Sequence, residues 1–200
     1  MSDPLRDKWD RASRTYDCIT RSDDFRFAAA KRKLFGRMQG LCLMLATGTG
    51  NDFRHFPPGL SVTAIDISPA MLERARERAR AYEGPLDLVR TDARKLAFAD
   101  RSFDTVVTVC TFCSVPDPVR GLCELRRVLK PEGRLLLFEH VRSRLAPLAI
   151  MQDLMTPLTR RLGPDMNRDT VANAERAGFR VVREENVYLD LMKAVEAVPL

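Results

Sequence analysis

Two glycines and a carboxylate lie at a spacing that can bind a nucleoside. The apolar run Leu41–Ala46 leads into Thr47-Gly48-Thr49-Gly50, and a second apolar run, Leu60–Ile65, ends in Asp66. Strand, glycine turn, helix, strand and acid is the order of a nucleoside-binding βαβ unit. Glycine has no Cβ, so the backbone can approach a ligand closely. Because a carboxylate at the end of the second strand can accept both ribose hydroxyls, the pattern predicts a cofactor that contains adenosine.

The glycine spacing argues against two common nucleotide sites. A dinucleotide site needs a third glycine where Phe53 stands, and a P-loop needs Gly-Lys-Ser/Thr where this chain has Gly50-Asn51-Asp52. A second acid, Asp92, follows the third predicted strand and can accept a hydrogen bond from an adenine amino group. The two acids therefore fit ribose at Asp66 and adenine at Asp92.

Apolar periodicity and turn residues predict the elements that hold these groups. Strands are expected at 41–46, 61–66, 86–91, 103–109, 134–139, 179–183 and 191–198. Helices are expected at 4–38 with a break near Ile19–Ser22, from Gly50, at 69–81 behind Ser68-Pro69, at 116–129 before a turn at 130–133, as short kinked pieces over 145–162, and after Asp169 or Thr170.

The alternation of strands and helices predicts an α/β fold with a mostly parallel sheet covered by helices on both faces. No helix separates the last two strands, so we expect them to pair as an antiparallel hairpin at the C-terminus. The helical regions 1–38 and 145–165 have no place in the alternation. They are expected to form an N-terminal lid and an inserted cap over the ligand end of a single domain, 1–200.

Together these motifs resemble the class I S-adenosylmethionine (SAM)-dependent methyltransferases over nearly the whole chain. That family's motifs match Leu45–Gly50, Asp66 within AIDISPAML, Asp92-Ala93, SFDTVV at 102–107, RVLKPEG at 127–133 and the lid segment Trp9–Asp17. Within the family, the quinone and phospholipid methyltransferases are similar. The animal membrane-associated thiol methyltransferases share Thr111–Val115, Glu139-His140-Val141 and Gln152 before Pro157. The resemblance implies a Rossmann-like, seven-stranded sheet, a helical lid and SAM as cofactor.

The resemblance also implies which residues bind the cofactor. Two positions depart from the family pattern: Met44 replaces an acid, and Ala46 replaces the first glycine. Backbone carbonyls or Asn51-Asp52 are therefore expected to orient the ammonium group of the cofactor, and Tyr16 is expected to close the lid. The expected cofactor-binding residues are Tyr16, Ala46, Thr47, Gly48, Thr49, Gly50, Asn51, Asp66, Ile67, Met71, Asp92, Ala93, Cys110 and Thr111.

Methyl transfer from a sulfonium requires alignment and exclusion of water, and a base only when the acceptor must lose a proton. The methyl group is expected near Cys110–Phe112, where the Asn/Asp-Pro-Pro-Tyr motif of DNA-base and glutamine methylation is absent. His140 follows the fifth strand and is expected either to act as a base or substrate ligand, or to be structural. Phe112, Met151 and Met155 are expected to contact an apolar substrate.

The amino-acid composition limits the classes of partner that the protein is expected to bind. The net charge of +6 favours anionic partners, and the basic helix face at 31–37 suggests peripheral contact with an anionic membrane. Three tyrosines and one tryptophan offer few stacking platforms for nucleic acid. Five cysteines without framework spacing indicate reduced thiols, and Cys110-x-x-Cys113 lacks a second pair, so we expect no metal. Neither a membrane-spanning run nor a signal-peptide core is present, which predicts a cytoplasmic protein.

Three functional hypotheses follow. The first is a SAM-dependent methyltransferase acting on a small, apolar thiol, phenol or quinone, or lipid amine. The second is a non-catalytic, regulatory SAM-binding module, which the departures at Met44 and Ala46 favour. The third is an RNA methyltransferase, which would bind RNA in a salt-sensitive manner. The acceptor atom, the pathway and the oligomeric state stay open.

Overall fold

The computed structural model describes residues 3–162 and 164–200 and places seven strands in one sheet, in the order β3-β2-β1-β4-β5-β7-β6. β1 to β5 run parallel, and β7 lies antiparallel between β5 and β6. The predicted Rossmann-like sheet with a C-terminal hairpin is confirmed. The strands are β1 Leu41–Leu45, β2 Ser61–Asp66, β3 Leu86–Arg90, β4 Phe103–Val109, β5 Leu129–His140, β6 Phe179–Tyr188 and β7 Met192–Pro199.

The strand order creates a crevice at the carboxyl end of β1. β1 is followed by β2 on one side and β4 is followed by β5 on the other, so the connections that leave the carboxyl ends of β1 and β4 diverge there. Open α/β sheets bind their ligands at such a switch point. The glycine turn follows β1 and Asp66 ends β2, so both lie at this end of the sheet.

Six α-helices and one 3-10 helix accompany the described strands. Ser68 caps the helix Pro69–Arg80 by accepting a hydrogen bond from the Met71 amide at 3.1 Å, and Asp169 caps the helix Thr170–Arg176. Both caps confirm sequence predictions. The helices are α1 Pro4–Ala12, α2 Tyr16–Phe35, the 3-10 helix Asn51–His55, α3 Pro69–Arg80, α4 Pro118–Val128, α5 Ala146–Leu162 and α6 Thr170–Arg176. Within the described ranges, no helix is both long enough and apolar enough to cross a bilayer.

The sheet is buried on both faces, as parallel sheets usually are. Leu43 and Leu135 point into one hydrophobic layer, whereas Met44 and Leu136 point into the other. The second layer also contains Phe27, Leu34, Phe35 and Met38 from α2 and the residues after it. The C-terminal half of α2 is therefore part of the core, and only the first part of the segment predicted as a lid over 1–38 lies at the ligand end.

The predicted break near Ile19–Ser22 is wrong, because α2 runs through it without interruption. The chain instead turns at residues 13–15, where the Ser13 hydroxyl donates to the Asp10 carbonyl at 2.8 Å. This turn lies between two anchored residues. Asp10 is hydrogen-bonded to the start of α3, and Asp17 is hydrogen-bonded to the glycine turn. Tertiary hydrogen bonds thus place the break, and the local sequence does not.

Two predictions for segments that contain proline were also wrong. Residues 146–162 form one helix, because Pro147 lies in the first turn, where its missing N–H costs nothing, and Pro157 is accommodated inside it. The expected turn at 130–133 is instead an irregular part of β5, between Leu129 opposite Phe103 and Arg134 opposite Thr105. Met1, Ser2 and Gly163, which the predicted lid and cap include, lie outside the described residues.

Candidate functional site

The turn after β1 has the backbone shape of a ligand cradle. Ala46, Gly48 and Gly50 all adopt positive φ angles, of 50°, 57° and 79°. A Cβ added to Gly50 would lie 2.6 Å from the Phe53 ring, so this glycine is required for packing as well as for its φ angle. The Thr47 hydroxyl is buried without a hydrogen-bond partner in the described chain.

Asp66 sits beside this turn and is only 7% exposed. One carboxylate oxygen accepts the Gly48 amide at 2.8 Å, and the other accepts the Ser68 amide at 2.9 Å. Burial raises the pKa of Asp66, and these backbone hydrogen bonds oppose the shift. Each carboxylate oxygen can accept a second hydrogen bond. The side chain can therefore hold two neighbouring hydroxyls of a ribose.

A pocket opens between the glycine turn, the ends of β2 and β4, and α1. Of the expected cofactor-binding residues, it is lined by Tyr16, Ala46, Gly48, Asp66, Ile67, Met71, Asp92, Ala93, Cys110 and Thr111. The expected residues Thr47, Thr49, Gly50 and Asn51 belong to the same turn but do not line the pocket. Sequence reasoning missed other lining residues, chiefly Leu5, Trp9, Arg94, Ser114 and Val115.

The N-terminal residues cover this pocket. Trp9 and Tyr16 meet edge to face, with ring centroids 6.3 Å apart, and a Cβ on Gly48 would lie 3.6 Å from the Tyr16 ring. Burial raises the pKa of the Tyr16 phenol, so the ring stays neutral at physiological pH. Asp10 fixes α1 by accepting the Ser68 hydroxyl at 2.5 Å. The lone tryptophan beside Asp10 was the signal that could have extended the predicted site to α1.

Asp17 clamps the lid to the glycine turn. Its carboxylate accepts the Thr49 hydroxyl at 2.5 Å, the Asn51 amide nitrogen at 3.1 Å and Arg78 at 2.9 Å. Arg78 also donates to the Thr49 carbonyl at 2.7 Å. Desolvation raises the pKa of Asp17, but these hydrogen bonds outweigh it and the net shift is downward. We call Asp17, Thr49, Asn51 and Arg78 the lid clamp.

Asp92 is held by a neighbour that sequence reasoning overlooked. Arg94 donates to its carboxylate at 2.7 Å, and both side chains reach the pocket. This hydrogen bond lowers the pKa of Asp92, so the carboxylate is ionised at neutral pH. An ionised acid at this strand end remains a hydrogen-bond acceptor toward the pocket.

The expected substrate residues lie apart from the pocket lining. Phe112 is fully buried, whereas Met151 and Met155 on α5 are each 44% exposed. His140 is half-buried at the end of β5, and burial lowers its pKa while nearby Asp23 opposes the shift. The imidazole is therefore neutral at physiological pH. None of these four side chains lines the pocket found in the described chain.

The basic segment at 31–37 is largely paired, unlike the open basic face that the sequence suggested. Lys31 is 5% exposed and contacts Asp52 at 2.7 Å. Lys33 contacts Glu185, and Arg37 contacts Glu196. Lys31 therefore faces the 3-10 helix that follows the glycine turn and is not part of an open basic face.

Known proteins are similar to this chain in sequence and in fold. A methyltransferase-domain family model matches residues 43–137. Thiol S-methyltransferase TMT1B of Homo sapiens is 33% identical over 183 residues, which cover 84% of this chain and 74% of that protein. Phosphatidylethanolamine N-methyltransferase of Cereibacter sphaeroides is 34% identical over 126 residues, covering 62% of each.

A SAM-dependent methyltransferase of Thermotoga maritima matches the whole fold with a TM-score of 0.74. It is 19% identical, and the match covers 98% of this chain and 100% of that one. The likeness to that structure shows the fold. The 33% identity to thiol S-methyltransferase TMT1B, across 84% of this chain, shows the family. This chain therefore belongs to the SAM-dependent methyltransferase family, and S-adenosylmethionine is its cofactor.

Proposed function

We propose that this protein transfers the methyl group of SAM to a small, apolar acceptor. The observation that carries the proposal is the buried Asp66 carboxylate facing the pocket beside the glycine turn. SAM supplies an electrophilic methyl group on a sulfonium. The residues of the chain bind the cofactor, orient it and exclude water, which is most of what this displacement requires.

We assign each part of the cofactor to residues at or near the carboxyl ends of the parallel strands. Asp66 holds the ribose hydroxyls, and Asp92 with the Ala93 backbone holds the adenine. Residues 46–51 hold the methionyl part, with Ala46 and Gly48 at the pocket wall. Ile67 and Met71 pack against the adenosine, and Tyr16 closes the lid. The pocket lining contains the residues assigned here except Thr47, Thr49, Gly50 and Asn51.

One part of the pocket wall is apolar, which supports a lipophilic acceptor. Leu5, Trp9 and Val115 line it together with Cys110 and Thr111 at the end of β4. We assign Phe112, Met151 and Met155 to the surroundings of the acceptor and His140 to its hydrogen bonding or deprotonation. A neutral His140 can take a proton, as a thiol or phenol acceptor would require. The names of the relatives support a thiol, a lipid amine or a quinone as the acceptor.

A radiometric assay tests this proposal. Purified protein is incubated with methyl-labelled SAM and a panel of alkyl and aryl thiols, quinols and lipid amines. We expect label in one acceptor class, with S-adenosylhomocysteine (SAH) formed in equal amount. Asp87→Ala is the matched control for the Asp66→Ala variant, because Asp87 is an exposed acid on β3, away from the pocket lining. Transfer to none of the classes by protein that binds SAM would contradict the proposal.

A non-catalytic SAM-binding module is the second hypothesis, and Met44 and Ala46 motivate it. Met44 is 1% exposed inside the core, so it supplies no polar group to the cofactor. SAM binding without turnover of any acceptor would support this hypothesis. Salt-sensitive RNA binding, in turn, would support RNA methylation.

We also propose a cytoplasmic enzyme with peripheral contact to anionic membranes, through the outer face of α2. There, Phe25 is 90% exposed and Ile19 is 72% exposed, beside Arg21, Arg26 and Arg32. Exposed apolar side chains flanked by arginines suit an anionic lipid surface. Sedimentation with phosphatidylglycerol vesicles tests this contact. We expect binding that Phe25→Ser weakens and that neutral phosphatidylcholine vesicles do not support; equal binding to both vesicles would contradict it.

A further inference from the structure

Glu139 has no part in the proposed function, yet it is one of the most buried ionisable side chains described. It is the second-last residue of β5 and is 1% exposed. It does not line the pocket in the described chain. Burying a carboxyl group is costly unless hydrogen bonds satisfy it. The position therefore calls for a physical reason.

The hydrogen bonds of Glu139 supply that reason. Oε1 accepts the Thr111 amide at 3.0 Å and the Thr108 hydroxyl at 2.8 Å, and Oε2 accepts the Phe112 amide at 3.2 Å. Thr108 belongs to β4, but Thr111 and Phe112 lie beyond it, in the loop that follows. Two successive backbone amides of a loop are thus held by one buried side chain from the neighbouring strand.

The same loop forms one wall of the pocket. Cys110, Thr111, Ser114 and Val115 line it, and Phe112 is packed beneath. Cys110 has a φ angle of 47°, a left-handed conformation that a side chain disfavours by about 1–2 kcal/mol. Such a conformation persists only where the surroundings hold it. The amides donated to Glu139 immediately follow this residue.

We propose that Glu139 is a positioning residue whose carboxyl group fixes the pocket wall at residues 110–115, and thereby the affinity for the cofactor. This inference rests on the proposed function for the identity of the ligand. Its structural part does not, because the hydrogen bonds can be measured in protein without a ligand.

Hydrogen exchange followed by NMR tests the structural part in the wild-type protein. We expect the amides of Thr111 and Phe112 to exchange as slowly as those of Val107 and Leu137 in the neighbouring strands, although they lie in a loop. Rapid exchange of these two amides, at the rate of exposed loop amides, would overturn the inference without any variant.

Three variants test the effect on the ligand, with SAH affinity measured by calorimetry. Glu139→Leu removes both acceptors, and we expect SAH to bind roughly tenfold more weakly. Glu139→Gln keeps one acceptor oxygen and should restore most of that loss, with intermediate exchange of the two amides. Thr108→Val removes the hydroxyl but leaves both loop amides bonded, so affinity should stay within about twofold of wild type.

The outcomes separate this inference from the proposed function. Absence of SAH binding in the wild-type protein would contradict the proposed function and leave the exchange result to decide on Glu139. Normal SAH affinity in folded Glu139→Gln with unprotected loop amides would overturn the inference. If Glu139→Leu does not fold, two measurements still decide it. They are the exchange rates of the Thr111 and Phe112 amides in the wild-type protein, and the SAH affinity of folded Glu139→Gln read together with the exchange of the same two amides.

Discussion

The lid clamp makes a specific prediction about how tightly the cofactor is held. Asp17→Ala removes the acceptor of three hydrogen bonds, from Thr49, Asn51 and Arg78, that join the start of α2 to the glycine turn. The carboxylate is 29% exposed and Arg78 is 37% exposed, so solvent screening reduces each contribution. With each bond at about 0.5–1 kcal/mol, the clamp stabilises the closed lid by roughly 2 kcal/mol.

A change of that size in lid closure has a measurable consequence. If cofactor is held only when the lid is closed, roughly 2 kcal/mol corresponds to about a tenfold to thirtyfold loss of affinity. We expect calorimetry to show this loss for SAH. Stopped-flow displacement should place the change in the dissociation rate, because an open lid releases bound ligand.

The matched control for this prediction is Arg74→Gln. Arg74 is 43% exposed and its guanidinium lies 4.0 Å from Asp17, at the limit of an ion pair. Its removal should change SAH affinity by less than about twofold. If folded Asp17→Ala binds and releases SAH as wild type does, the lid clamp has no role in holding the cofactor, and the reasoning is refuted.

Three further predictions concern stability. Asp52→Asn removes the negative charge that lies 2.7 Å from the buried Lys31 ammonium and should lower the free energy of unfolding by about 1.5–3 kcal/mol in urea titrations, whereas a loss below about 0.5 kcal/mol would contradict the buried pair. Ala46→Gly removes a side chain at a φ angle of 50° and should raise that free energy by up to about 1 kcal/mol; a clear loss of stability would show that the Ala46 methyl packs favourably. Burial raises the pKa of Glu139 to about 7, so the folded protein binds this proton more tightly than the unfolded chain. Relative to Glu139→Gln, wild-type stability should therefore fall by roughly 3 kcal/mol between about pH 4.5 and 7 and then level off; a rise over that range would refute the assignment.

Most of the fold could be predicted from local sequence patterns. The strand and glycine turn at 41–50 and the Ser68-Pro69 helix start were predicted because backbone preference and side-chain capping act within a few residues. The hairpin at the C-terminus followed from the absence of a helix between two apolar runs. Asp66 was predicted on the same basis, since its place at a strand end depends only on the period of the strand before it.

The site also contains contacts that no local pattern encodes. Asp17 meets Arg78 across 61 positions, Lys31 meets Asp52 across 21, and Glu139 meets Thr111 across 28. The local sequence around these residues identifies none of their partners. Only the register of β4 against β5 brings Glu139 under the loop after β4. The break before α2 was misplaced for the same reason, because tertiary anchors at Asp10 and Asp17 determine it.

The most direct test of the central claim is a calorimetric titration of the wild-type protein and Asp66→Ala with SAH. We expect micromolar binding to the wild type and loss of binding to the variant. Circular dichroism and the unfolding temperature should show a retained fold, because Asp66 lies at the end of β2. Unchanged affinity in a folded Asp66→Ala variant would contradict the assignment of this carboxylate to the ribose, and with it the account of the site.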